Sequence, residues 1–379
     1  MKRSLVLLMA ALASAATAAT AAPARRAPAG TPVPRGFVGM NANGWLFQTG
    51  DGLALAEQFS AMADRGVQSV RMAFSWADAQ PYAGWADVPP DQASQFVDVG
   101  GVPTDWAATD ELVNMATLYG LRLLPVVMYA PGWDAAYNAH GIPAPARPAP
   151  YASFLEALVE RYGPHGTYWQ LGTPRLPIRQ WQIWNEPNVY YYWPNTTLSS
   201  YLALLSAAHA AIAKADPGAQ TVLAALANDS WDYLAQVYRV RGARSLFDAV
   251  AINPFTSTPA RVIKILRRAR RTMDAGGDRR KALIASEVGW PSARGVPGTH
   301  WDWDTTQAGE ARNVATVLPL LAANRAALRL RAFYYYTWVD DSTLGNDWNY
   351  AGLLKDVGGQ AVPKPALGAF TRAARAIEH

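Results

Sequence analysis

The 379-residue chain has no cysteine. Disulfides, thiolate metal sites and a cysteine nucleophile are excluded, so stability must come from the core alone. Histidine is scarce, five residues without an H-E-x-x-H pair or other metal-ligand spacing, so neither a catalytic zinc nor another cofactor is expected. There is no G-x-S-x-G elbow and no phosphate-binding glycine loop. Charge is sparse as well: 34 basic against 29 acidic residues leave +5, too mild to argue for a nucleic-acid partner. The densest basic stretch, Arg267, Arg268, Arg270, Arg271, Arg279, Arg280 and Lys281, reads as the solvated face of one helix. A weak attraction to anionic cell-envelope polymer is its alternative reading. Beyond the N-terminus no apolar run is long enough to cross a bilayer, which argues against stable membrane insertion.

What is present is apolar: half of the residues are hydrophobic, enough for one large core. Lys2 and Arg3 precede an apolar run from Leu5 to Ala13, followed by small residues in A-x-A patterns, which predicts a signal peptide over 1–22 and export from the cell. Residues 23–35 form an Ala/Pro/Arg linker without periodic apolar pattern. The folded domain is expected over 36–379, and the protein is read as a monomer. Asn195-Thr196-Thr197 is a formal glycosylation sequon and reads as coincidental.

From Gly36 onward short β-rich runs alternate with helical stretches, the pattern of a parallel sheet with crossover helices. Eight candidate strands are visible: 37–41, 68–74, 121–128, 180–184, 220–226, 247–252, 281–286 and 331–336. Most are near-continuous apolar runs, as strands buried on both faces require. Between them apolar residues recur at helical spacing, as in Leu55, Phe59 and Met62, or Val314, Val317, Leu318 and Leu321. Gly66, Gly120 and Gly163 stand at expected helix C-caps. Eight such units predict a single (β/α)8 TIM barrel of class α/β, with enlarged loops at the C-terminal face of the strands, where such barrels build their sites. The long loops are 77–103, 130–148, 291–305 and 337–350.

Two glutamates stand at strand ends, Glu186 in Trp184-Asn185-Glu186-Pro187-Asn188 and Glu287 in Ser286-Glu287-Val288-Gly289-Trp290-Pro291. A carboxylate there points into the mouth of the barrel, where its desolvation demands a reason. Three βα units separate them, which puts them across the mouth on the fourth and seventh strands. Cleaving a glycosidic bond needs two carboxyl groups, one to protonate the leaving oxygen and one to attack the anomeric carbon or activate water. A structural ion pair at a strand end is the alternative for either residue alone.

With these motifs the chain resembles clan A of the glycoside hydrolases, close to families 5 and 39. The matching segments are Arg179 to Asn188 and Ala285 to Ser292, supported by Val70-Arg71-Met72, by Tyr335-Tyr336-Thr337-Trp338 and by Pro363-Lys364-Pro365-Ala366. The resemblance implies a retaining β-glycoside hydrolase acting on a β-linked glycan, with Glu186 as acid/base and Glu287 as nucleophile. It further implies that Asn185 bonds the sugar 2-hydroxyl, that Arg71 keeps Glu287 ionised, and that Trp338 is the platform under the scissile sugar. One position departs from the clan: where an aromatic hydroxyl is usual after the sixth strand, this chain has Asn253-Pro254-Phe255. Tyr335 or Tyr336 is the candidate replacement.

Trp45, Trp133 and Trp290 are further candidates for stacking on sugar, as are Trp76 and Trp193, with core packing an equal alternative. Asn253 is a candidate substrate contact. Tyr190, Tyr191, Tyr192 and Trp193 follow the Glu186 loop and are placed to shape the leaving-group side. Asp340-Asp341 reads as a loop turn or salt bridge rather than a metal site. A transglycosidase that remodels wall or exopolysaccharide, and a barrel that binds carbohydrate without cutting it, are the competing functions.

Overall fold

The computed structural model describes residues 32–42, 54–139, 141–171, 174–193, 197–299, 301–340 and 346–378. The expected signal peptide, most of the linker, Trp45, Asn195, Thr196 and Asp341 lie outside the described residues. The packed unit begins at Pro32. It therefore includes the last residues read as linker: Val33 is buried, its N–H donates to Ile377 O at 3.2 Å, and Pro32 O accepts from Arg325.

All eight expected strands form, each within two residues of its expected ends: β1 (Val38–Asn41), β2 (Ser69–Ser75), β3 (Arg122–Met128), β4 (Gln180–Asn185), β5 (Gln220–Leu226), β6 (Ala249–Ile252), β7 (Ala282–Val288) and β8 (Leu330–Tyr335). Each pairs in parallel with its neighbour in chain order, and β8 closes on β1 with Val38 opposite Phe333. The crossovers are α1 (Leu55–Asp64), α2 (Ala107–Leu118), α3 (Pro148–Tyr162), α4 (Leu198–Ala215), α5 (Ser230–Arg239), α6 (Pro259–Ala275) and α7 (Gln307–Leu328), and α8 (Pro365–Glu378) follows β8. The protein is a (β/α)8 barrel.

The helix α6 shows how local sequence makes these elements. Pro259 at its start fixes a helical φ where no N–H is needed. Val262, Ile263, Leu266, Ala269 and Met273 form the buried stripe. Arg267, Arg268 and Arg271 face water, as the basic stretch predicts. Arg270 does not: it is buried and donates to Asp278 O at 2.6 Å and Lys281 O at 2.8 Å, tying the helix to the entry of β7. At the helix ends Gly66 and Gly120 take left-handed φ of 85° and 67°. Gly163 is the C-cap of α3 as expected, in extended rather than left-handed backbone with φ −69°, its N–H donating to Val159 O.

Inside the barrel lie Leu124, Val222, Ala225, Ala249, Ala251, Ile284, Ala332 and Tyr334. Half of them are alanine, and the ring of Tyr334 shares the interior with them. On β1 even a methyl is too much, since a Cβ on Gly39 would stand 2.4 Å from that ring. Such overpacking costs about 1–3 kcal/mol. The larger apolar cluster, including Phe74, Trp181, Ile183 and Phe333, lies between the strands and the helices. The loops at the mouth carry structure of their own. Hairpins at Val97–Val99 with Val102–Thr104 and at Leu354–Val357 with Gln360–Pro363 follow β2 and β8.

Candidate active site

Irregular strand ends aim the polar residues at the mouth. Gln182 and Asn185 are three residues apart, which regular alternation would send to opposite faces. Trp184 between them takes φ 69°, so both side chains meet the same arginine. Glu186 follows at φ 43°, and its N–H is held by Ala225 O at 2.9 Å. Left-handed backbone at residues other than glycine costs on the order of 1–3 kcal/mol each and concentrates at functional sites. On β7 the pairing with β8 shifts register between Phe333 and Tyr335, so that Ser286 and Glu287, adjacent in sequence, both reach the mouth network. From α4 the hydroxyl of Tyr201 donates to Ile183 O at 3.2 Å and accepts from Ala224 N–H at 2.8 Å, bracing β4 against β5 beside the irregular end.

Arg71, on β2, is the hub and is only 3% exposed. Its Nη1 donates to Glu287 Oε1 and Asn41 Oδ1, both at 2.7 Å, its Nε to Gln182 Oε1 at 2.9 Å and its Nη2 to Asn185 Oδ1 at 2.8 Å. Asn41 is itself fixed, donating from Nδ2 to Ser286 O at 2.9 Å. Because Asn185 gives its oxygen to Arg71, its Nδ2 is the end left to donate.

Asn253, the residue after β6, links the two carboxyls. Its Oδ1 accepts from Ser286 at 2.7 Å, which fixes the amide so that Nδ2 donates to Glu186 Oε1 at 2.6 Å. Glu287 is also in hydrogen-bonding reach of that amide.

Burial pushes Glu186 up to about 8, the negative charge of Glu287 pushes the same way, and Asn253 and Arg71 pull back. Burial also raises Glu287, but there the charge and hydrogen bond of Arg71 are the largest opposing influences. Arg71 thus biases the pair toward carrying its charge on Glu287 and its proton on Glu186.

Strand-end carboxyls, Arg71, Asn185 and Asn253 therefore come together as read from the sequence. The tryptophans separate. Trp290 and Trp338 are 0% exposed, and their indole N–H groups are spent on Thr256 O at 2.7 Å and Gln58 Oε1 at 2.9 Å. Neither offers a ring face to a sugar, so the expected stacking role is not available to them in this arrangement. Trp76 and Trp193 are buried too. Trp133 is half-buried, edge-on to Trp76.

Tyr335 turns outward to Glu310 at 3.1 Å and cannot replace the missing hydroxyl. Phe255 packs with Trp303, Tyr336 and Trp348, at 4.3 Å from the last, and Trp301 joins this half-buried cluster on the β6 to β8 side. On the opposite side, above β2 and β3, an open cleft of about 660 Å³ is lined by Ser75, Asp78, Tyr129, Ile142 and Tyr191 among others. Sequence reasoning missed Gln182 and Asn41. The signal for Gln182 was a polar residue within an otherwise apolar strand. Among the described residues no group of three His, Asp or Glu is placed to hold a metal, and no helix is long and apolar enough to cross a membrane.

No protein-family model and no curated protein sequence matches the chain. Solved structures do. A monomeric β-xylosidase from Caulobacter crescentus CB15 superposes with a TM-score of 0.64 at 19% identity, over 90% of this chain and 69% of that one. A family 39 glycoside hydrolase from Bacteroides cellulosilyticus WH2 gives 0.63 at 18%, over 89% and 63%. An α-L-arabinofuranosidase from Thermotoga maritima gives 0.59 at 15%, over 91% and 71%. At such identity the likeness is one of fold, and the first two proteins are longer by about a third.

Proposed function

We propose that this chain is a retaining glycoside hydrolase acting on a β-linked poly- or oligosaccharide. The observation that carries the reading is the carboxyl pair itself: a protonated Glu186 and an arginine-paired Glu287, joined by one amide at the mouth of the barrel. The hold of Arg71 on Glu287 suits an ionised nucleophile, and retention then asks for carboxyl groups about 5–5.5 Å apart, against about 6.5–9.5 Å for inversion.

In the first step Glu287 attacks the anomeric carbon while Glu186 gives its proton to the departing glycosidic oxygen. A covalent α-glycosyl ester forms on Glu287. Glu186, now a carboxylate, takes a proton from water, which attacks from the face the leaving group vacated and releases a β-configured sugar. Arg71 keeps Glu287 charged for the first step, and Asn185 Nδ2 donates to the sugar 2-hydroxyl, a contact that strengthens as positive charge develops on the ring. No step requires a metal.

The barrel neighbours include a β-xylosidase, an α-L-arabinofuranosidase, a glucosidase and β-1,4-galactanases, so pentose, glucose and galactose glycans are the substrates to test first. The test is a screen of xylan, arabinan, mannan, glucan and galactan with the matching aryl β-glycosides, followed by proton NMR of the first-formed product. The reading expects cleavage with the β-anomer appearing first. An initial α-anomer would make the enzyme inverting, and no cleavage of any glycan or aryl glycoside would leave a barrel without this activity. Export follows from the N-terminal sequence: a mature N-terminus between Ala19 and Ala24 is expected in the culture medium, and intact Met1 in the cytosol would contradict it.

A further inference from the structure

Helix α6 concentrates charge on the outer wall of the barrel. It carries six bases and one acid, a net charge equal to the +5 of the whole chain, so the rest of the sequence is formally neutral. Its acid, Asp274, is taken by the buried Arg270 at 2.9 Å. The other five bases, Arg261, Lys264, Arg267, Arg268 and Arg271, are exposed. Spacing by three and four residues keeps them on one face, about 15 Å long at a rise of about 1.5 Å per residue. Among the described residues none of the five pairs with a carboxylate. Arg261 donates to Ser257 Oγ at 3.0 Å, Arg267 to Asn324 Oδ1 at 2.9 Å, and Arg268 lies over the Trp231 ring at 4.5 Å. The flanking helices show what charge looks like when it serves the helix. Both α5 and α7 have an acid in the first turn, Asp232 and Glu310, and a base in the last, Arg239 and Arg325, as the helix dipole favours. In α6 the first turn has no acid and holds Arg261, and the last has no base. Like charges three and four residues apart repel as well. These cations oppose the helix that carries them, and a counter-charge from outside the fold would relieve them.

We propose that the outer face of α6 binds an acidic polysaccharide, whose uronate carboxylates pair with Arg261, Lys264, Arg267, Arg268 and Arg271. Four of the five are arginines, and their planar forks match carboxylates two bonds at a time. The choice of a polysaccharide rests on the glycosidase reading and on where the face begins. Arg261 is tied to Ser257 in the loop after β6, and the same loop carries Asn253, the partner of Glu186. A chain lying along α6 therefore starts at the rim of the mouth. A lipid surface fits less well. Helices that lie on membranes bury an apolar face there, whereas Val262, Ile263, Leu266 and Met273 of α6 are packed inside the barrel wall. Duplex nucleic acid draws on phosphate contacts over a wide basic surface, and the rest of this chain is formally neutral.

The test reads binding, not hydrolysis. Titration calorimetry of the full chain uses polymannuronate, a β-linked uronate polymer, and its propylene glycol ester, which lacks the charge. The wild type should bind the polymer and not the ester, with Kd rising about tenfold or more between about 20 and about 200 mM salt. The double variant Lys264→Glu/Arg271→Glu should bind about tenfold or more weakly at low salt, whereas Arg279→Gln/Arg280→Gln, exposed bases beyond the end of α6, should stay within about twofold. Equal losses in the two variants, no loss in the first, or tighter binding of duplex DNA or phosphatidylglycerol vesicles than of polymannuronate would overturn the proposal. The first variant should melt no lower than the wild type, since it relieves repulsion. A lower melting temperature would place these cations in the service of the fold and count against the site. Hydrolysis judges the other reading: if the wild type binds polymannuronate through α6 yet cleaves no glycan or aryl glycoside, the glycosidase reading is what fails.

Discussion

Two clusters of buried charge, each with two acids and one base, lie on opposite sides of the barrel wall. Within the mouth, Arg71 faces Glu287 and Glu186. Outside it, between β8, α7 and the entry to α8, Lys364 Nζ stands 3.1 Å from both Glu310 Oε2 and Asp340 Oδ1, and Tyr335 donates to Glu310. Burial pushes Glu310 up to about 8, the same as Glu186. A perturbed carboxyl therefore does not by itself mark the site. The difference lies in what surrounds each group. Lys364 also donates to Tyr350 O at 2.9 Å, and the side chains of Lys364 and Glu310 are fully covered, so the outer cluster is closed and pins loop to helix. The inner cluster stands at strand ends with left-handed residues at Trp184 and Glu186, and Glu186 keeps part of its surface exposed. One buried charge cluster holds the fold together, and the other is positioned to meet a ligand.

Breaking each cluster should therefore produce different losses. The largest effect is expected at Glu287: its replacement by Ala should lower kcat on the order of 10⁴-fold with folding intact, and steady-state kinetics with circular dichroism checks both halves. Lys364→Ala should do the reverse. Removing one partner of a buried pair costs about 3–5 kcal/mol, here nearer the lower end because Glu310 takes up a proton, while kcat of the folded fraction stays within about threefold. Denaturant unfolding followed by assays at low temperature checks both halves, and a catalytic loss without loss of stability would merge the two clusters' roles.

Arg71→Met removes the influence that most opposes protonation of Glu287. Glu287 must be ionised to attack, so the acidic limb of the kcat/KM profile should move to higher pH, visible as a narrowed bell. An unmoved limb would detach Arg71 from the nucleophile. The smallest shift is expected at Asn253, whose hydrogen bond lowers Glu186. In Asn253→Ala the acid should hold its proton longer, and the basic limb should move up. A basic limb that moves down would mean the amide favours the protonated carboxyl.

The contrast between the clusters also explains what sequence could convey. Strands buried on both faces read as apolar runs, so the barrel, and with it Glu186 and Glu287 at the C-terminal ends of their strands, was legible to within two residues. Arg71 was legible through the resemblance carried by Val70-Arg71-Met72. The left-handed turn at Trp184 was not, because backbone conformation at a tryptophan leaves no pattern, and it alone brings Gln182 and Asn185 to one face. Nor was the facing of Tyr335, Trp290 and Trp338. Strand-end irregularities and packing against Glu310, Thr256 and Gln58 decide which side of the wall each ring occupies, and those partners are distant in sequence.

The central claim, two carboxyls with distinct roles on opposite faces of one sugar, is tested most directly by azide rescue of the two alanine variants. Glu186→Ala still forms the glycosyl ester on Glu287 from an aryl glycoside with a good leaving group, and azide then enters from the opposite face. The product should be the β-glycosyl azide. In Glu287→Ala azide takes the vacated place of the nucleophile and attacks the β-glycoside directly, so the α-glycosyl azide is expected. Proton NMR of the anomeric signals reads the outcome. Exchanged anomers would reverse the two roles, and two variants with wild-type rates and no azide product would remove both residues from the chemistry.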